Sequence, residues 1–379
     1  MKLMVVFGTR PEVIKLAPVV VEGRRTAGMD IVTCSTGQHR QMLDQALACF
    51  GIQPDIELDL MRANQTLPSL TALLIEHMTR ALEEHRPDAV MVQGDTTTAF
   101  AAALAAFYQR IPVAHVEAGL RTGDPYSPFP EEINRGMIAR LARWHFTPTD
   151  QATRNLIAEG ISPSAITQCG NTVIDAVELI KAQWQTRPYA GPARDWFPDR
   201  PLVLVTTHRR ENFGQGLENI CAALRELCDT HPQLGFVFPV HLNPQVQRVV
   251  GERLPGLDNL MLTRPVDFET SLYLQSRSTL ILTDSGGIQE EAPSFGVPCV
   301  VMREDTERRE GVDTGFSTLA GTEVLAIRSA ANAWLNDPKR FSILSQQPNP
   351  YGDGKSAKKI LTKLTNTINN SSTRPTAHL

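Results

Sequence analysis

Short runs of apolar and β-branched residues alternate with longer stretches of helical periodicity along almost the whole chain, and this rhythm restricts the fold more than any other feature. Strands separated by helix-length connections run parallel in one sheet, with helices covering its faces. In the first half the expected strands are 3–7, 31–35, 89–93, 113–116 and 145–147, with helical patterns such as 67–84 and 97–108 between them. The second half repeats the rhythm at 202–206, 235–240, 259–263, 279–283 and 298–302. A chain of 379 residues is long enough for about two domains of ~150 residues each. The expectation is therefore an α/β protein of two Rossmann-like domains facing across a cleft. Its first domain takes residues 1–170, its second 171–354, and a closing helix covers about 355–370. Folds of this kind bind ligands at the carboxyl ends of their strands.

Composition removes several function classes. At 42% apolar and 21% charged residues the chain can fill sizeable cores and keep a wettable surface. A formal charge of -4 and a pI near 6.2 argue against a nucleic-acid partner, which asks for a basic face. No apolar run approaches the ~20 residues of a membrane helix, and no secretory leader precedes the first strand, so no membrane partner is expected. The six cysteines form no C-x-x-C pair and are expected to be buried reduced thiols in a cytoplasmic protein. The histidines lack ligand spacing and no D-x-D element is present, so no metal is expected. Gly214-Gln215-Gly216-Leu217-Glu218-Asn219 ends in Asn where a dinucleotide loop needs Gly or Ala, and no Walker-type loop exists. No cofactor is expected.

The residues able to carry chemistry follow strands. Gly8-Thr9-Arg10-Pro11-Glu12, with Lys15 one turn later, is either a phosphate clamp at a helix start or a capped helix with two surface cations. Asp284-Ser285-Gly286-Gly287 follows strand 279–283 and opens a helix expected over 288–295. Its glycines admit close backbone approach, and Glu290 or Glu291 lies where a carboxylate can accept ribose hydroxyls. A phosphate loop without either fingerprint points to a nucleotide used as a handle, such as UDP on a sugar. Asp95, Glu117 and the pair Glu131-Glu132 bring carboxyl groups to adjacent strand or helix ends, where crowding and burial suit acid/base work. Taken singly, capping for Asp95, the helix dipole for Glu131 and an ion pair to Arg121 or Arg135 for Glu117 explain them as well. His208, Arg209 and Arg210 follow another strand and can face a diphosphate. His241 has a similar setting and reads equally as structural. Most of the charged loop 303–310 is expected to be solvated, with one arginine reaching the phosphates.

Gly8-Thr9-Arg10-Pro11-Glu12, Gln93-Gly94-Asp95-Thr96, His115-Val116-Glu117-Ala118-Gly119-Leu120-Arg121, Pro130-Glu131-Glu132-Ile133-Asn134-Arg135, His208-Arg209-Arg210-Glu211-Asn212 and residues 283–292 occur in this order. From the first strand to at least Arg308 the chain resembles the bacterial non-hydrolysing UDP-N-acetylglucosamine 2-epimerase family. The resemblance implies a fold of GT-B type with the last helix packed back on the first domain, a homodimer, and interconversion of UDP-GlcNAc and UDP-ManNAc through 2-acetamidoglucal. It gives Asp95, Glu117 and Glu131 acid/base roles, and Arg10, Lys15, Arg135 and His208 roles at the diphosphate and sugar. It assigns Ser285, Gly286, Gly287, Glu291 and Arg308 to UDP. A second, activating UDP-GlcNAc maps to Gln38, Gln41, Glu131, Arg209 and His241. Two departures stand out. Asn64 precedes Gln65-Thr66-Leu67 where activated members often carry Arg, and Ser271 stands where many have Phe near the uracil, which is expected to alter base packing without abolishing binding. Epimerases of 3-modified UDP-hexosamines share these motifs and GT-B glycosyltransferases share the fold, so both stay open at this point.

Overall fold

The structure is a computed structural model in which the described residues are 1–37, 40–62 and 65–372, without the side chains of 40–42, 210, 338 and 368–372. The chain divides into two compact units, Met1–Leu179 with Gly352–Leu379, and Ile180–Tyr351.

Unit 1 alternates β1 (Lys2–Phe7), α1 (Arg10–Arg25), β2 (Asp30–Ser35), α2 (Arg40–Cys49), β3 (Ile56–Glu57), α3 (Leu67–His85), β4 (Ala89–Gln93), α4 (Thr97–Tyr108), β5 (Val113–Val116), α5 (Glu131–Leu141), β6 (Trp144–Thr147), α6 (Asp150–Ala158), β7 (Ile166–Gln168) and α7 (Thr172–Thr186). All neighbouring strands are parallel, in the order β3-β2-β1-β4-β5-β6-β7. The direction of winding reverses between β1 and β4, the place at whose carboxyl ends sheets of this kind bind ligands. Both faces of these strands are covered, which is why Leu3–Phe7 reads as an unbroken apolar run and not as an alternating one. Met4, Val6, Val90 and Val92 meet Met78, Leu82 and the alanines of α4. Those alanines let α4 lie close to the sheet. Burying each larger side chain stabilises the unit by roughly 1.5–3 kcal/mol.

Unit 2 repeats the plan with β8 (Leu202–Thr206), α8 (Gln215–Thr230), β9 (Gly235–Pro239), α9 (Pro244–Arg253), β10 (Leu260–Thr263), α10 (Phe268–Arg277), β11 (Ser278–Thr283), α11 (Gly286–Glu291), β12 (Cys299–Val301), α12 (Arg309–Asp313), β13 (Ser317–Leu319), α13 (Val324–Leu335) and α14 (Pro338–Leu344). Its parallel order is β10-β9-β8-β11-β12-β13, with the reversal between β8 and β11. Phe236, Phe238, Leu224, Leu227 and Phe316 fill one side of its core. The final helix α15 (Ser356–Ser372) belongs to unit 1, where it packs on α1. Asp175 of α7 accepts the Ser356 and Ala357 amides at 3.2 and 2.8 Å and so caps it.

Four details differ from the sequence reading. The edge strands β3, β7 and β13 have only two or three residues each and escape pattern reading. The helix expected over 288–295 starts at Gly286 and tightens to a 3-10 turn over Ala292–Phe295, where Pro293 has no N–H to continue the ladder. The division between units falls at 179/180 instead of 170/171, because α7 is one continuous helix. Cys49 is half-buried, whereas the other five cysteines are buried. Among the described residues no helix is long and apolar enough to cross a membrane.

Candidate active site

In unit 1 the candidate residues gather at the carboxyl ends of β1, β4 and β5, beside the reversal in winding. Thr9 caps α1, so that Arg10 is its first residue and Pro11 its second. Glu12, wholly buried, turns back to accept the Gly8 and Thr9 amides at 3.0 and 2.7 Å and the Thr96 hydroxyl at 2.6 Å. Burial raises its pKa against the opposing pull of Thr96 and these amides. Thr96 in turn caps α4 through the Ala99 amide at 3.0 Å, so Thr96 and not Asp95 is the cap. The clamp turn and the Asp95 turn are therefore tied by one carboxylate.

Lys15 donates to one oxygen of Glu117 and the Gln93 amide donates to the other. Glu117 thus pairs with Lys15, not with Arg121 or Arg135. It adopts φ 60, a left-handed conformation disfavoured for a residue with a Cβ. Arg135 ion-pairs with Asp95 and, at 3.2 Å, with Glu132, while Asn134 Nδ2 holds the Asp95 carbonyl at 2.9 Å. Glu132 also accepts the Thr122 and Gly123 amides at 3.1 and 3.0 Å. His115 Nε2 donates to the Gly94 carbonyl at 2.7 Å, which fixes the tautomer because a carbonyl only accepts. Asp95, Glu117 and Arg135 are thus joined through adjacent turns. The side chain of Glu131, half-buried at the start of α5, makes no hydrogen bond or ion pair with another described residue, and neither does that of Arg10.

Unit 2 gathers its candidates at the ends of β8 and β11. Arg308 lies over the Ser285-Gly286-Gly287 turn, and a Cβ on Gly286 would stand 3.1 Å from its guanidinium carbon. A side chain at this position would push the guanidinium aside by a few tenths of an ångström. Glu290 accepts Arg308 Nε at 2.9 Å and Glu291 accepts Gln275 Nε2 at 2.6 Å, with the other Glu291 oxygen alongside Gly287. The same Gln275 amide reaches Ser271 Oγ at 3.3 Å. The loop Thr207–Asn212 is gathered around the buried carboxylate of Asp284, and the His208 ring stands half-exposed at its side. Burial lowers the pKa of Arg209, with Arg303 nearby adding to it.

Several expectations need refinement. Most of the 303–310 loop is exposed or half-exposed, as expected, but Arg303 and Thr306 are buried. Arg303 is held by Glu211 at 2.6 Å and Glu307 at 3.0 Å, and Thr306 donates to Gln289 at 2.8 Å. His241 is exposed and its Nδ1 accepts the Asn243 amide at 3.2 Å. Gln38 and Asn64 lie outside the described residues, as do the side chains of Gln41 and Arg210. Sequence reasoning missed Glu12, Gln93, Gln275 and Asp284 as members of the site. Only Glu12 left a signal, the Thr9-x-x-Glu12 spacing of a capping box. Among the described residues no three His, Cys, Asp or Glu side chains are grouped to hold a metal ion.

The model of the UDP-N-acetylglucosamine 2-epimerase family matches residues 22–365. The chain belongs to that family. A UDP-N-acetylglucosamine 2-epimerase of Yersinia pestis is 48% identical over 371 residues, covering 97% of this chain and 99% of that protein. Among solved structures the UDP-GlcNAc 2-epimerase of Neisseria meningitidis bound to UDP-GlcNAc superposes with a TM-score of 0.90 at 43% identity, covering 97% of this chain and all of that one. A glycotransferase of kitacinnamycin, 14% identical with a TM-score of 0.60 over 96% of this chain and 98% of its own, shares the fold alone. The two parallel-sheet units of this 2-epimerase are thus of GT-B type.

Proposed function

We propose that the protein is a non-hydrolysing isomerase that interconverts UDP-GlcNAc and UDP-ManNAc. The observation that carries this reading is the acid cluster at the ends of β4 and β5, with Asp95 and Glu117 each held by a cation, in a chain 48% identical to a named 2-epimerase. The C1–O bond breaks with its electron pair leaving on UDP, a base takes the C2 proton, and 2-acetamidoglucal forms. Return of the UDP oxygen to C1 and of a proton to the other face of C2 completes the inversion. The C2 hydrogen is weakly acidic, so a positioned base and cations at the departing diphosphate must both contribute. We assign the proton transfers to Asp95, Glu117 and Glu131. Arg10, Lys15, Arg135 and His208 hold the diphosphate and sugar, and Ser285, Gly286, Gly287, Glu291 and Arg308 hold UDP. The scheme uses no nicotinamide and no metal.

The motif resemblance also supports a homodimer and a second, activating UDP-GlcNAc at Gln38, Gln41, Glu131, Arg209 and His241. Six free cysteines suit the cytoplasm. The test follows purified protein and UDP-GlcNAc by proton NMR. The reading expects UDP-ManNAc to accumulate to equilibrium without free sugar. Release of free ManNAc and UDP, or conversion only when an acceptor is added, contradicts it.

A further inference from the structure

One carboxylate in unit 2 is surrounded by donors from a single loop. Asp284 follows β11 and exposes none of its surface. Its Oδ2 accepts the Thr207 hydroxyl at 2.8 Å and the His208 amide, the Arg209 amide and Asn212 Nδ2, each at 3.0 Å. Its Oδ1 faces Nδ1 of the His208 ring at 3.2 Å. Burial acts to raise the Asp284 pKa, but His208, the amides and Thr207 outweigh it, and the carboxyl sits below the usual range. A carboxylate held ionised only accepts, so the ring nitrogen facing it must carry the hydrogen. Nε2 is then the nitrogen left to meet a ligand. The His208 side chain is 46% exposed, unlike the carboxylate that orients it.

We propose that Asp284 is a positioning residue acting through His208, holding the imidazole with its hydrogen on Nδ1 and presenting Nε2 to the diphosphate at the neighbouring Ser285-Gly286-Gly287 turn. The functional half of this rests on the epimerase reading above. When the ring is protonated, Nε2–H donates to a diphosphate oxygen as the C1–O bonding pair passes to UDP. Asp284 itself gains no proton and stabilises the imidazolium in place. A purely structural Asp284 would staple the Thr207–Asn212 loop and leave the choice of tautomer to chance.

The deciding experiment labels histidine with nitrogen-15 in the full chain and records long-range proton–nitrogen spectra, assigning His208 by its loss in His208→Asn. The expected result is an unprotonated Nε2 and a protonated Nδ1 in the neutral form of the ring. The opposite tautomer overturns the proposal, and neither result depends on turnover or on the identity of the substrate. Kinetics give the second arm. Asp284→Asn is expected to lower kcat roughly 100-fold with KM within about threefold, as misorienting a catalytic imidazole does. In the His208→Asn background the same change should cost less than about threefold, because the residue it acts through is gone. Equal losses in both backgrounds overturn the proposal even if Asp284→Asn folds poorly, since poor folding lowers both alike.

Discussion

Glu117 combines a charge, two side-chain donors and a left-handed backbone, which together hold it in one geometry. Its φ of 60 costs on the order of 1–3 kcal/mol for a residue with a Cβ, and such strain persists only where neighbours over-determine it. Lys15 and Gln93 supply that constraint. Glu117→Gln keeps the shape but removes the proposed proton-transfer carboxylate and leaves Lys15 facing an amide. Its kcat for UDP-GlcNAc is expected to fall about 10²- to 10⁴-fold in steady-state assays, and wild-type turnover would remove Glu117 from the chemistry. His115 and His145, paired across β5 and β6, support a second prediction. Burial pushes their pKa values down from 6.5 to about 3 and about 4. A histidine whose folded value is depressed stabilises the fold above pH 6.5 and loses that contribution as pH falls, because the unfolded chain then takes the proton first. At pH 5 each should cost about 2 kcal/mol, from roughly 1.4 kcal/mol per pH interval below the ordinary value. Urea unfolding followed between pH 7 and pH 5 checks this, with a flat profile as the contrary outcome. The buried polar partners are where the sequence was least readable at this scale. Gln93 and Asp284 lie inside sequence motifs, but their roles are set in space: Gln93 donates to Glu117, and Asp284 collects the His208 and Arg209 amides.

At the scale of elements, glycines mark where backbone passes close to other groups. Gly119 has φ 91, and a Cβ there would lie 2.2 Å from the Ala152 carbonyl oxygen at the start of α6. Gly119→Ala must therefore move α6 or distort the Glu117 turn, and is expected to cost about 3 kcal/mol or more. A loss below about 1 kcal/mol in denaturant unfolding would show that the contact relaxes. Gly286→Ala meets only the end of a flexible side chain, Arg308. It should leave the unfolding midpoint nearly unchanged and raise the KM for UDP-GlcNAc roughly tenfold, the size of one charge-assisted contact. An unchanged KM would detach Arg308 from nucleotide binding. The central strands were legible to within a residue at most ends because burial on both faces writes them as continuous apolar runs. The edge strands were not. Ile56–Glu57 and Ile166–Gln168 pair on one side only, and their length is set by their neighbours' register and not by their own residues.

Across the whole molecule the two units repeat one plan: a parallel sheet, a reversal in winding, and a buried carboxylate beside the reversal that collects backbone amides from a strand-end turn. Glu12 does this in unit 1 and Asp284 in unit 2. The balance differs, since burial dominates at Glu12 and raises its pKa, while the His208 ring and the donors of its loop outweigh burial at Asp284. The central strands and the count of units were visible in the alternation of the sequence, whereas the order of strands within each sheet was not. The exact division was not, because α7 runs unbroken through it. The central claim is that inversion at C2 proceeds by loss and return of a solvent-exchanged proton. Running the reaction on UDP-GlcNAc in deuterated water, with NMR of both sugars at equilibrium, tests it most directly. Deuterium at C2 of UDP-ManNAc and of the recovered UDP-GlcNAc is the result predicted. Conversion that retains the original hydrogen at C2 would contradict it.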